Sequence, residues 1–175
     1  MSFTTFVFCF IVYSFFGWFY ESILCSGLNQ RRFVNRGIGR GPYCPIYGFG
    51  IMFSYIIVKD IESFIIQFAV LMVLNAVYEY VLSIVLEKVY NKKVWDYSYC
   101  PLNINGRICF HVCLIFTGIS MNFYNWLQPV LERMVTPKNE VMVAWVNMFV
   151  CVFMAVDIFS VTYFKYRKAT NLNKQ

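Results

Sequence analysis

Five apolar stretches, separated by polar links, organise this 175-residue chain. The first runs from about Phe3 to Leu24, the second from Pro45 to Val58, and the third from Ser63 to Leu86. The fourth covers Ile108 to Leu127 and the fifth Val141 to Phe164. Four of them approach the roughly 20 residues a helix needs to cross a bilayer, and none alternates with the period of a strand. The second is shorter and follows a Gly/Pro run, so it is either tilted and thin or entered through irregular backbone at the membrane edge. The pattern predicts an all-α integral membrane protein of five transmembrane helices in one domain, 1–164, followed by a basic cytoplasmic tail, 165–175.

Within two segments the polar positions keep helical spacing. Tyr13, Gly17 and Glu21 recur every fourth residue on the first, and Asn75, Glu79 and Ser83 do so on the third. Each set lies on one face of its helix. A carboxylate among apolar residues is costly in hydrocarbon unless it faces protein, water or a cation, so Glu21, Glu79 and Asp157 stand out.

Charge fixes the expected orientation. Arg31, Arg32, Arg36 and Arg40 lie after the first segment, Lys88, Lys92, Lys93 and Arg107 after the third, and Lys165, Arg167, Lys168 and Lys174 after the fifth. The opposite side carries Lys59, Arg133 and Lys138. Basic residues collect on cytoplasmic loops, so the N-terminus is expected outside and the C-terminus in the cytoplasm. Composition agrees: 59% of residues are apolar, 14% are charged and mean hydropathy is +0.57. The net charge of +6 is therefore a topological signal rather than a nucleic-acid footprint, since no basic patch stands free of the apolar segments. The N-terminus lacks a basic n-region and a small-residue cleavage site, so it is expected to be a retained span.

Most of the seven cysteines lie in or beside apolar runs, where a thiol behaves as a small hydrophobe. Cys44 and Cys100 have no His or Cys at ligand spacing, which makes a poor zinc site, and no metal or other cofactor is expected. The chain has no Walker A motif, H-E-x-x-H, nucleophile elbow or dinucleotide fingerprint.

The candidate chemistry gathers at two loops. Residues 35–50 read NRGIGRGPYCPIYGFG and hold five of the nine glycines, two of the five prolines, Arg36 and Arg40. Gly-rich backbone can present N–H groups to an anion, Arg offers a planar fork, and Pro45 suits the first residue of a helix whose N-terminus favours negative charge. The second loop carries Trp95-Asp96-Tyr97-Ser98 and Asn103–Arg107. Trp95 and Tyr97 suit interfacial anchors, and His111 suits a packed, hydrogen-bonded histidine. The glutamates read equally as ion-pair scaffold holding the loops or as functional acids.

Two short matches raise an internal repeat. Tyr20-Glu21-Ser22-Ile23-Leu24 parallels Tyr78-Glu79-Tyr80-Val81-Leu82, and Tyr43-Cys44-Pro45-Ile46 parallels Tyr99-Cys100-Pro101-Leu102. Two parallel two-helix repeats plus a fifth helix would bring Glu21 and Glu79 to equal depth beneath the two loops, with Arg36, Arg40 and Arg107 closing a shared cytoplasmic mouth. The expected ligand-binding set is Glu21, Asn35, Arg36, Arg40, Tyr43, Tyr47, Glu79, Asp96, Asn103 and Arg107, with no catalytic residue assigned.

The motifs also carry a resemblance. Gly17-Trp18 with Glu21, Asn35-Arg36-Gly37, Gly41–Gly50, Glu79-Tyr80, Trp95–Ser98 and N-x-x-G-R-I-C at Asn103–Cys109 resemble the bacterial family labelled putative ABC-transporter permease, type IV. The resemblance covers about Phe3 to Leu127, and the fifth segment matches it least. Here Ile38-Gly39-Arg40 replaces a more apolar link, which adds a cation. The resemblance implies a bacterial multi-pass cell-membrane protein and a transport component, with any ATP hydrolysed by a separate ATPase subunit. Membrane lipids and further copies of the chain are the other partners expected, and nucleic acid is not one. Acids and arginines beside a Gly/Pro loop equally suit an intramembrane enzyme acting on a lipid or polyprenyl phosphate, with Glu21 or Glu79 as base. A non-catalytic scaffold or regulatory subunit is the third reading.

Overall fold

The computed structural model describes residues 1–25, 33, 35, 37 and 39–172, the side chains of 24, 25 and 165–172 excepted. Arg31, Arg32, Arg36 and Ile38 therefore lie outside the described residues. The architecture is all-α, as the apolar pattern predicts. Helix α1 spans Phe3–Phe19 and continues as a π-helical stretch, Tyr20–Cys25. Helix α2 is Pro45–Val58, α3 is Phe64–Tyr90, α4 is Phe110–Asn122, α5 is Gln128–Met134 and α6 is Glu140–Leu172. Sheet among the described residues is limited to the antiparallel pair β1, Asn103–Ile104, and β2, Ile108–Cys109.

Among the described residues three helices are long and apolar enough to cross a membrane: Phe3–Ile23, Phe64–Tyr90 and Glu140–Phe164. Pro45–Val58 is the shorter apolar helix, and at 1.5 Å per residue its length of ~21 Å falls short of a ~30 Å hydrocarbon core. The fourth apolar segment starts later than its hydropathy suggests, because Ile108 and Cys109 belong to β2. It also runs on past Leu127. A π-helical turn over Phe123–Leu127, in which the Gln128 N–H donates to the Phe123 carbonyl, joins α4 to α5. The wider turn passes Pro129 in the first turn of α5, where its missing N–H does least harm, so the expected polar link is helical through Met134. The basic tail is likewise helical to Leu172: it contains neither Gly nor Pro, and Lys, Arg and Ala extend the turns of α6.

The chain forms two compact units, Met1–Met52 with Leu131–Gln175, and Phe53–Val130. In the first, the Ser2 hydroxyl caps α1 by accepting from the Thr5 N–H at 3.2 Å. Thr5, Cys9, Tyr13 and Gly17 are buried along the fourfold face that also bears Glu21. The Asn147 amide of α6 donates to the Thr4 carbonyl at 2.9 Å, and Asp157, further along α6, meets the loop that follows α1. The first and last long helices therefore run in the same direction.

In the second unit α3 and α4 lie antiparallel along a polar seam. On α3, Gln67, Leu71, Asn75, Glu79, Ser83 and Glu87 recur every fourth residue. Asn125 donates to Gln67 at 3.3 Å, Asn75 to Thr117 at 3.3 Å, the Cys113 thiol lies 3.9 Å from the Glu79 carboxylate, and Arg107 donates to Ser83 at 2.9 Å. Val73, Val77, Val81, Val85 and Val89 lie on an exposed stripe of the same helix. In lipid, where apolar burial drives little association, such hydrogen bonds across helices hold a pair together. Asn91, with φ of 52°, ends α3 in the left-handed conformation that asparagine tolerates.

Candidate functional site

The first polar loop is built around two side chains. Asn35 staples it: its Oδ1 accepts from the Trp18 indole and the Gly37 N–H, both at 2.9 Å, and its Nδ2 donates to the Arg40 carbonyl at 3.0 Å. The turn so formed directs the next donors toward α6. The Asp157 Oδ2 accepts from the Arg40 N–H at 2.7 Å, from the Gly41 N–H at 3.3 Å and from the Tyr43 hydroxyl. The Gly-rich run thus turns these donors onto a negative group of the chain's own, the Asp157 carboxylate. Gly39 permits the approach, since a Cβ there would stand 2.6 Å from the Tyr43 hydroxyl and would meet the Asp157 carboxylate as well. Tyr43 is 6% exposed, and burial first, then its bond to Asp157, push the phenol above its ordinary range. The Arg40 side chain is exposed, and its charge also acts on Asp157.

Beside this loop Pro45 opens α2, with the Cys44 N–H donating to the Ser14 carbonyl at 2.8 Å. Tyr47, on the first turn of α2, donates its hydroxyl to Glu21 at 2.5 Å. Burial and, after it, the charge of Glu21 push the Cys44 thiol up to about 12. Glu21, Asn35, Arg40, Tyr43 and Tyr47 thus share the first unit, while Arg36 lies outside the described residues.

The second polar loop is a self-bracing turn. Asn105 and Gly106, with φ of 55° and 66°, form the tight turn between β1 and β2, closed by the Arg107 N–H donating to the Ile104 carbonyl at 3.0 Å. Asp96 accepts from the Ser98 hydroxyl at 2.6 Å and its N–H at 3.1 Å, with Lys93 at 3.6 Å. The two Ser98 bonds, ahead of Lys93, hold the Asp96 carboxyl below its usual range. Trp95 donates to the Arg107 carbonyl at 2.9 Å, and the Tyr97 N–H to the Gly106 carbonyl at 2.8 Å. Asn103 Nδ2 donates to the Cys100 carbonyl at 2.7 Å, and its Oδ1 accepts from Gly106 at 2.9 Å. Arg107 meanwhile forms an ion pair with Glu87.

Asp96, Asn103 and Arg107 thus come together within one loop, and Glu79 lies along the helix that Arg107 clamps. Two acids outside the expected ligand set hold these loops, Asp157 the first and Glu87 the second. Asp157 was visible as an intramembrane acid but without a partner. Glu87, the ion-pair partner of Arg107, extends the fourfold series of Asn75, Glu79 and Ser83. Trp95 spends its indole N–H inside the protein, and His111 is exposed rather than packed, 3.9 Å from the Cys109 thiol. The two Tyr-Cys-Pro copies also diverge locally: Pro45 opens a helix, whereas Pro101 lies in a turn.

No group of three or more His, Cys, Asp or Glu suited to a metal ion occurs among the described residues. Comparison with curated proteins and with solved structures gives no match. A family model does match, over residues 8–162, well past the Leu127 limit of the motif resemblance and through the whole region that carries Asp157. Its description and the apolar helices together make the protein membrane-embedded and transport-related. The chain belongs to the family described as Putative ABC-transporter type IV.

Proposed function

We propose that the chain is the membrane permease component of a transporter and that loop 35–50 is its anion-handling element. The observation that carries this reading is the convergence of the Arg40 N–H, the Gly41 N–H and the Tyr43 hydroxyl on one carboxylate oxygen of Asp157. Three donors aimed at one oxygen, beside an arginine charge, suit a carboxylate or a phosphate. Asp157 is then the resident anion, and a transported or regulatory anion binds by displacing it. Arg40 and Tyr43 contact that anion, Asn35 positions the loop, and Glu21 with Tyr47 lies at its edge. Arg36 joins the set by its place in the sequence alone. For Glu79, Asp96, Asn103 and Arg107 we propose ligand contact only through rearrangement of the bonds each already makes within its own unit.

The distribution of basic residues supports an N-terminus outside and a cytoplasmic C-terminus in a bacterial cell membrane, which puts the loop on the cytoplasmic side. Lacking a Walker A motif, the chain relies on a separate ATPase subunit if ATP drives transport.

Thermal unfolding in detergent with inorganic phosphate or acetate, against matched chloride, tests the anion site. Removing the internal competitor in Asp157→Ala leaves the donors vacant, so that variant gains phosphate-dependent stability. The gain is about 2.7 kcal/mol at a hundred times its dissociation constant, with a smaller response from the unaltered protein. Asp157→Asn serves if the alanine variant does not fold. No response to either anion in any of the three proteins overturns the site.

A further inference from the structure

We propose that Cys100 and Cys109 form a reversible dithiol–disulfide pair that clips the 100–109 hairpin when the protein meets a hydroperoxide. The backbone brings the two residues together: Asn103 stands opposite Cys109 in the β1–β2 register, and its side chain draws the Cys100 carbonyl back toward the hairpin at 2.7 Å. The Cys109 thiol donates to the carbonyl of Pro101, the neighbour of Cys100, at 3.5 Å, and lies close enough to Cys100 to act on its thiol electrostatically.

The pair is asymmetric. Cys100 is partly exposed, whereas Cys109 is 1% exposed with its sulfur 3.9 Å from His111 Nδ1. The oxidant therefore reaches Cys100 first. The Cys100 thiolate attacks the terminal peroxide oxygen, the O–O bond breaks, and the alkoxide leaves as an alcohol after taking a proton, giving a sulfenic acid at Cys100. Cys109 passes its proton to His111 and attacks the Cys100 sulfur, forming the S–S bond and expelling hydroxide, which is protonated to water. Two thiols lose two electrons and two protons in all, and the hydroperoxide is reduced to alcohol and water. A small-molecule dithiol returns the pair to its starting state by exchange. Burial, with the adjacent Cys109 thiol, pushes the Cys100 thiol above its ordinary range, so the attack is slow and calls for peroxide in excess.

The consequence is mechanical. Arg107, which clamps Ser83 and Glu87 on α3, sits inside the loop that the bond closes. Oxidation stiffens the hairpin that carries Arg107, and reduction leaves its shape to hydrogen bonds, with the Arg107–Glu87 ion pair present in both states.

Purified protein in detergent is exposed to excess hydrogen peroxide, denatured in the presence of N-ethylmaleimide to block every free thiol, cut with trypsin and read by mass spectrometry. Cleavage after Arg107 separates the two cysteines, so the expected product is a pair of peptides joined through Cys100 and Cys109, lighter by two hydrogens and released by dithiothreitol. Cys100→Ser leaves Cys109 fully alkylated, and Cys109→Ser leaves Cys100 trapped by dimedone as the sulfenic acid. Full alkylation of both cysteines after peroxide overturns the proposal. So does a bond from Cys109 to Cys113, a bond between two chains, or overoxidation of Cys100 without a cross-link. The Cys100→Ser variant, at the partly exposed position, suffices if Cys109→Ser does not fold.

Discussion

Replacing Arg107 with methionine removes the clamp between the second polar loop and α3, and its cost follows from the contacts. The guanidinium donates to Ser83 at 2.9 Å and pairs with Glu87, the two charged side chains being 20% and 34% exposed. A solvent-exposed pair contributes about 0.2–1 kcal/mol, whereas breaking a buried one costs about 3–5 kcal/mol. At this exposure the expected loss for Arg107→Met is about 2 kcal/mol, which includes the unmade Ser83 bond. Glu87→Gln keeps the shape and an acceptor, so about 1 kcal/mol is expected there. The double variant should lose about 2 kcal/mol rather than the sum, a coupling of about 1 kcal/mol between the two residues. Denaturant unfolding in a fixed detergent micelle, followed by circular dichroism, supplies all four corners of the cycle. If the single losses simply add, with coupling below about 0.3 kcal/mol, Arg107 is not held by Glu87 and its charge is available for a ligand.

Two further outcomes follow from the first loop. Gly39→Ala should cost about 1–3 kcal/mol by pushing its new methyl against Tyr43 and Asp157, and should mimic Asp157→Ala in its anion response; a variant as stable as the parent contradicts the close approach. Cys44, pushed up to about 12 from 9.0, holds about a thousandfold less thiolate at pH 8 than an ordinary thiol, so its alkylation by iodoacetamide should be slower by at least that factor and quicken about tenfold per pH step up to about 12; a rate like that of a free thiol at pH 8 rules this out.

The helices were legible because their signal is local: long apolar runs, fourfold polar spacing and Pro45 at a helix start. The Asn105-Gly106 pair between Ile104 and Ile108 was an equally local hairpin signal, hidden inside a motif read as a polar loop. What local pattern does not contain is the choice of partner. Asp157 meets Arg40 across 117 positions of sequence. Nothing near either residue distinguishes that pairing from an empty anion pocket, so the Gly-rich loop announced its donors but not the acceptor that fills them. The fourth segment runs on past Leu127 for the opposite reason, since a π-helical turn accommodates Pro129, a residue that usually ends a helix. On α3, the stripe of Asn75, Glu79 and Ser83 was visible, but its complement on α4 was not. Thr117 and Cys113 look like ordinary small residues of an apolar span until the helices are paired.

Amide hydrogen exchange at Arg40 and Gly41 tests most directly whether Asp157 occupies an anion-handling loop. The account predicts slow exchange at both amides in the unaltered protein, fast exchange in Asp157→Ala, and slowing again when inorganic phosphate is added to that variant. Exchange that is unchanged by the substitution, or fast amides that phosphate leaves fast, would contradict it.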